Sequence, residues 1–80
     1  MKARIVITLK ATVVDAQGAV VQKALRNLGF EDVDGVRMGK YIEVSLADGS
    51  EADARRQVDE MCKQLLSNPI IEDYRFELEG

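Results

Sequence analysis

Hydrophobic and polar residues alternate at both ends of this chain. From Ala3 to Lys10, Ile5, Ile7 and Leu9 fall on one face and Arg4, Val6, Thr8 and Lys10 on the other. From Tyr74 onward, Tyr74, Phe76 and Leu78 oppose Arg75, Glu77 and Glu79. Successive side chains of a strand point to opposite faces, so each stretch predicts a strand with one dry and one charged side. The first is rich in β-branched residues, which suit a half-buried pleated surface.

Inside these ends the period lengthens to that of a helix. Asp15 is placed to cap a helix reaching about Leu28, with Val21, Ala24, Leu25 and Leu28 on one stripe and Val20 widening it. Gly29 follows where a left-handed C-terminal cap is expected. A second helix is predicted from Glu51 to Ser67, with Ala54, Val58, Met61, Cys62, Leu65 and Leu66 inward. Ser50 and Asp53 resemble a capping box at its start. Asn68-Pro69 ends it, because proline has no N–H and drives the preceding residue out of the α region. Glu51–Arg55, Arg56–Glu60 and Asp59–Lys63 are i,i+4 pairs of opposite sign, worth about 0.2–0.5 kcal/mol each.

Between the helices, Val33 to Met38 and Tyr41 to Leu46 read as two short strands, the second with Ile42, Val44 and Leu46 on one face. Gly39 marks the reversal between them. Glu31-Asp32-Val33-Asp34 is a solvated loop edge, and Asp48-Gly49 a turn. The order strand–helix–strand–strand–helix–strand favours an α+β, ferredoxin-like βαββαβ two-layer sandwich, with a four-stranded sheet and both helices on one face. Residues 1–80 are expected to form a single domain. The opposite sheet face, with Val6, Thr8, Tyr41, Glu43 and Ser45, has no cover within the chain.

Composition narrows what such a fold can do. A chain of 80 residues hides only roughly 60–65% of the surface its unfolded form exposes, so a lone core is marginal. Small folds compensate with disulfides, a metal or association. One cysteine and no histidine leave no internal disulfide and none of the usual zinc clusters. Association is the remaining remedy. Eleven basic against 14 acidic side chains, a net charge of −3, argue against a nucleic-acid partner. No apolar run is long enough to span a membrane. Met1-Lys2-Ala3-Arg4 leads directly into an alternating strand rather than a signal-peptide core, and a free thiol fits the reducing cytoplasm.

Catalytic candidates are thin. Cys62 lies on the inward stripe of a helix and has no histidine to activate it, so it reads as a packed hydrophobe. Gly39-Lys40 lacks the earlier glycine and the following Ser or Thr of a phosphate loop. Asp32 with Asp34 and Glu72 with Asp73 lack the spacing of a calcium loop and read as solvated charges. Arg37, Lys40 and Tyr41 cluster near the expected hairpin tip, and Glu72, Asp73, Tyr74 and Arg75 at the start of the last strand. Arg and Tyr are enriched at binding hot spots, which makes these clusters candidates for protein contacts.

Three separated stretches resemble the PurS family: Asp15-Ala16-Gln17-Gly18, Val36-Arg37-Met38-Gly39-Lys40-Tyr41-Ile42-Glu43, and Met61-Cys62-Lys63-Gln64-Leu65-Leu66-Ser67-Asn68-Pro69-Ile70-Ile71-Glu72-Asp73-Tyr74-Arg75. The resemblance covers nearly the whole chain in order and spacing. One departure is Ala16, where the family often has proline, a change that softens the helix start without altering a contacting side chain.

The family is the small subunit of the multi-chain phosphoribosylformylglycinamidine (FGAM) synthase of purine biosynthesis. Its complex converts formylglycinamide ribonucleotide to formylglycinamidine ribonucleotide. The resemblance implies that ATP, Mg and glutamine are used by partner subunits and no cofactor by this chain. The partners implied are a large synthetase subunit (PurL), a glutaminase subunit (PurQ) and the chain itself, as dimer or tetramer. The expected role is non-catalytic: bridging the two enzymes so that ammonia passes between them. Arg37, Lys40, Tyr41 and Glu43 are the first candidates for partner or self contact, Tyr74 and Arg75 the second, and Gln17 and Gly18 a loop contact. Two other roles suit the same element order: a small-molecule-sensing regulatory domain, for which the Ala11–Gly18 loop offers little, and a stand-alone structural oligomer.

Overall fold

The computed structural model describes residues 1–80. The chain forms β1 (Lys2–Leu9), α1 (Ala16–Asn27), β2 (Gly39–Ser45), α2 (Glu51–Met61), a π-helical turn over Cys62–Leu66 that continues α2, and β3 (Glu72–Glu79). The sheet has three strands in the order β2-β1-β3, antiparallel throughout. Ile5 stands between Ile42 and Phe76, and Val6 between Tyr41 and Arg75. This register places Ile5, Ile7, Ile42, Val44, Tyr74, Phe76 and Leu78 on one face, as the pattern predicts, and Val6 on the other.

That face meets α2. Ala3, Ile5, Ile7, Val58 and Cys62 form the fully covered core, with Ile42, Val44, Tyr74, Phe76 and Leu78 packed around them. The Ser50 hydroxyl accepts from the Asp53 N–H at 3.1 Å, which is half of the expected capping box. Two of the three expected helical ion pairs form, Glu51–Arg55 at 3.1 Å and Asp59–Lys63 at 2.9 Å, while Arg56 turns to Asp53 instead of Glu60. At the helix end the Ser67 N–H reaches back five residues to the Cys62 carbonyl at 2.9 Å, and its hydroxyl bonds the same oxygen at 2.8 Å. The wider turn carries an extra residue. It rotates Leu65 out of the inward stripe, and Leu65 is 83% exposed.

The sheet has three strands, not four, because Val33–Met38 forms no strand. Side chains satisfy the backbone there: the Arg26 guanidinium donates to the Val33 carbonyl at 2.9 and 3.0 Å, and the Met38 N–H donates to the Asp15 carboxylate at 2.7 Å. Gly39 is accordingly the first residue of β2, not a hairpin tip. The only left-handed glycine is Gly29, φ 106°, at the C-terminal cap expected of it.

Nor do both helices cover one sheet face, as a ferredoxin-like sandwich requires. β1 and β2 are antiparallel neighbours, so residues 10–38 leave and re-enter at the same end of the sheet. That connection is an excursion, not a crossover, and it carries α1 outward as an arm. Val20 and Leu28 on its apolar stripe are 69% and 74% exposed. The chain measures 49 × 25 × 14 Å with a radius of gyration of 16.0 Å, against about 12 Å for a compact domain of this length.

Candidate functional site

The three sequence stretches that carry the family resemblance meet where the arm joins the sheet. Asp15 is the pivot. One carboxylate oxygen accepts from the Gly18 N–H at 2.8 Å, capping α1, and the other accepts from the Met38 N–H at 2.7 Å. One short acidic side chain thus ties the start of the arm's helix to its return strand. Arg37 closes the other side, donating to the Leu9 and Lys10 carbonyls at 2.7 and 3.0 Å as β1 ends. The Val36 carbonyl presses so closely on the first turn of α1 that a Cβ on Gly18 would lie 2.2 Å from it. A Cβ on Gly39 would lie 2.5 Å from the Ile7 carbonyl. Both glycines answer to close backbone approach.

The third stretch borders the same joint. The Asn68 N–H donates to Glu72 at 2.7 Å, and the Asn68 side chain accepts from the Ile70 N–H at 3.1 Å, so the helix stop turns directly into β3. Glu72 lies within 3.9 Å of Lys40, and Lys10 pairs with Asp73 at 2.9 Å. Ile7, Leu9, Asp15, Gln17, Lys40 and Glu72 help line a shallow hollow of about 200 Å³. Gln17 and Lys40, separate in sequence, are therefore brought together here.

The remaining candidates sit elsewhere. Tyr41, Glu43 and Arg75 share the outer sheet face. Tyr41 donates to Glu43 at 3.3 Å, and Lys2 pairs with Glu43 at 2.9 Å. The Lys2 hydrogen bond holds the Glu43 carboxyl below its ordinary range and raises the Lys2 ammonium. Arg4–Glu79 at 2.6 Å continues this ladder of opposite charges. Arg75 is exposed and forms no ion pair. Tyr74 faces inward and donates to Asp59 on α2. That bond raises the phenol and lowers the Asp59 carboxyl, so both hold the form the contact needs at neutral pH. The sequence marked Asp15 as a helix cap and Glu72 as part of the cluster at the start of the last strand, but not the second bond of Asp15 to Met38 or the approach of Glu72 to Lys40.

Catalytic chemistry has little to work with. Cys62 is fully buried, and desolvation raises its thiol, with nearby Asp59 adding to the shift. No group of three or more His, Cys, Asp or Glu side chains is arranged to hold a metal ion. No helix is long and apolar enough to cross a membrane.

Asp15 makes the joint acid-sensitive. The Met38 N–H, then the Gly18 N–H, and then the Arg37 charge hold its carboxyl below the ordinary 3.8. A carboxyl lowered by folding stabilises the fold above its unfolded pKa, and that contribution disappears as pH falls through the folded value. Asp15→Ala is expected to lower Tm at neutral pH and to flatten the decline of Tm below about pH 4. Some decline should persist, because Glu43 and Asp59 are also lowered. Melting curves across that range check it. An unchanged acid limb would assign the whole transition to those other carboxyls.

Comparison with known proteins agrees with this architecture. The sequence profile of PurS, phosphoribosylformylglycinamidine (FGAM) synthase, matches residues 2–80. The phosphoribosylformylglycinamidine synthase subunit PurS of Synechocystis is 49% identical over 75 residues, covering 94% of this chain and 75% of that protein. The crystal structure of Bacillus subtilis PurS superposes with a TM-score of 0.88 at 43% identity, covering 99% of this chain and 98% of the other. A chain in the structure of PurLQS from Thermotoga maritima gives a TM-score of 0.87 at 28% identity, covering 95% and 93%. Matched by the family profile and by relatives along nearly its whole length, the chain belongs to the PurS family of FGAM synthase subunits.

Proposed function

We propose that this chain is the non-catalytic small subunit of the FGAM synthase complex, acting in the cytoplasm. It self-associates and bridges the glutaminase (PurQ) and synthetase (PurL) subunits. ATP, Mg and glutamine are bound by those partners. The observation that carries this reading is the superposition on a chain from the T. maritima PurLQS structure over 95% of the present chain. The residues support it physically. A buried, protonated thiol without a base leaves no nucleophile, whereas the charged outer face and the projecting arm offer extensive surface.

The mechanism is proximity. Ammonia released by the glutaminase meets the synthetase at the local concentration of a tethered pair, not after dilution in water. Arg37, Lys40, Tyr41, Glu43, Tyr74, Arg75, Gln17 and Gly18 contribute to these contacts by different routes. Tyr41, Glu43 and Arg75 offer side chains directly, and Lys40 and Gln17 do so from the rim of the hollow. Arg37, Gly18 and Tyr74 act by holding the arm and β3 in position. Reconstitution with the two partner subunits tests the reading. Omitting this chain is expected to cut glutamine-dependent synthesis of formylglycinamidine ribonucleotide at least about tenfold, while synthesis from added ammonium salt continues. Equal glutamine-dependent rates with and without the chain would refute it.

A further inference from the structure

α2 covers one side of the sheet and leaves the other bare. On the bare side, charges pair across the strands: Lys2 with Glu43 at 2.9 Å, Arg4 with Glu79 at 2.6 Å, and past the end of β1 Lys10 with Asp73 at 2.9 Å. Arg75 and Glu77 are left over. Both are exposed, and neither enters an ion pair. They stand two residues apart on β3, about 7 Å along the strand.

Register sets them beside the one row of this face that holds no ion pair. Tyr41, Val6 and Arg75 lie side by side across the three strands, and Tyr41 is 58% exposed. An aromatic ring, a branched aliphatic and a guanidinium in line, bordered by paired charges, have the make-up of a binding hot spot with its polar rim. A second copy does not suit this row. Two sheets stacked face to face keep their strands nearly aligned. A two-fold axis along β1 would set Glu43 against Glu77 of the other copy and the two Arg4 side chains against each other. An axis across the strands through Val6 would oppose the two Arg75 side chains. A surface centred on this row therefore calls for a partner of different sequence.

Resting on the bridging role read above, we infer that the Tyr41–Val6–Arg75 row docks an enzyme partner whose surface presents a carboxylate to Arg75 and a basic side chain to Glu77, with apolar contact over Val6 and Tyr41. The guanidinium fork can hold a carboxylate at two points. One free cation and one free anion on a single strand also fix which way round the partner lies. The Lys2–Glu43 and Arg4–Glu79 pairs form the rim, where exposed ion pairs contribute little.

Isothermal titration of the chain into a mixture of the synthetase and glutaminase subunits tests this. Wild type is expected to bind, and Arg75→Glu to bind at least about tenfold more weakly. Exchanging the two charges, Arg75→Glu with Glu77→Arg, keeps the net charge but reverses the pattern, and is expected to weaken binding as much. Lys2→Ala on the rim is expected to change it by less than about fivefold. Far-UV circular dichroism checks that the sheet persists, and Arg75→Ala and Tyr41→Ala repeat the test if Arg75→Glu disturbs it. Binding of Arg75→Glu or of the exchanged variant as tight as wild type would overturn the docking row and leave the bridging role intact. Loss of self-association by Arg75→Glu in sedimentation equilibrium would also overturn it, since the face would then belong to a second copy. A wild type that binds neither subunit would remove the bridging role, and the docking row with it.

Discussion

Gly18→Ala is expected to destabilise the protein by about 2 kcal/mol, although helix propensity alone predicts a gain of about 1 kcal/mol. The added methyl would stand 2.2 Å from the Val36 carbonyl and 2.7 Å from the Asp15 carboxylate. The side chain could rotate away, but the carbonyl belongs to the backbone that Arg37 and Met38 anchor on the next residues. Overpacking of this kind costs about 1–3 kcal/mol or more, so it outweighs the propensity gain. For a chain of this length the loss is a fall in Tm of roughly 10 °C. Thermal melts of the variant measure it. A rise in Tm would mean that the loop carrying Val36 yields freely and that the joint is soft.

Ile5→Ala is expected to cost more, about 2–5 kcal/mol. Ile5 is completely covered, stands between Ile42 and Phe76 on the central strand, and lies under α2 with Val58 and Cys62. A strand bonded on both sides cannot move to close the gap. A domain of 80 residues holds about 4–12 kcal/mol of total stability, so this one cavity removes a large part of it. Urea unfolding followed by circular dichroism reads the effect. A loss below about 1 kcal/mol would show that α2 settles into the space, contrary to a core fixed by strand register.

The two predictions test parts of the structure that differed in how easily they could be foreseen. The alternation of Ile5, Ile7 and Leu9 and of Tyr74, Phe76 and Leu78 located β1, β3 and their buried faces. The Asp15 and Ser50 caps and the Gly29 and Asn68-Pro69 stops located both helices within a residue or two. These signals are local, arising from neighbouring backbone groups and the side chains that satisfy them. The arm is not local. The stripe of Val20, Val21, Ala24, Leu25 and Leu28 shows that α1 has an apolar face but carries no record of what meets it. Val33–Met38 has apolar residues suited to a strand, yet Arg26 and Asp15, distant in sequence, satisfy its backbone. The π-helical turn was equally hidden, since one additional residue per turn leaves the preceding periodicity intact.

The same principle bears on the candidate site. The sequence bears on which constellations the residues could form, since it contains no histidine and only one cysteine. The joint was not legible, because it depends on one carboxylate serving two segments 23 residues apart. Arg37 was chosen for its type, and its guanidinium proves to hold carbonyls of β1's end and the residue after it.

The open rim of the sheet has a consequence of its own. β3 ends the sheet on one side and, in eight residues, carries Glu72, Asp73, Glu77 and Glu79. Two such rims set side by side would have to desolvate these charges and disturb the Lys10–Asp73 and Arg4–Glu79 pairs, a cost that would keep one sheet from extending into the next. Growth into filaments is thereby disfavoured at that border, which leaves the chain free to be a closed, countable part of a larger machine.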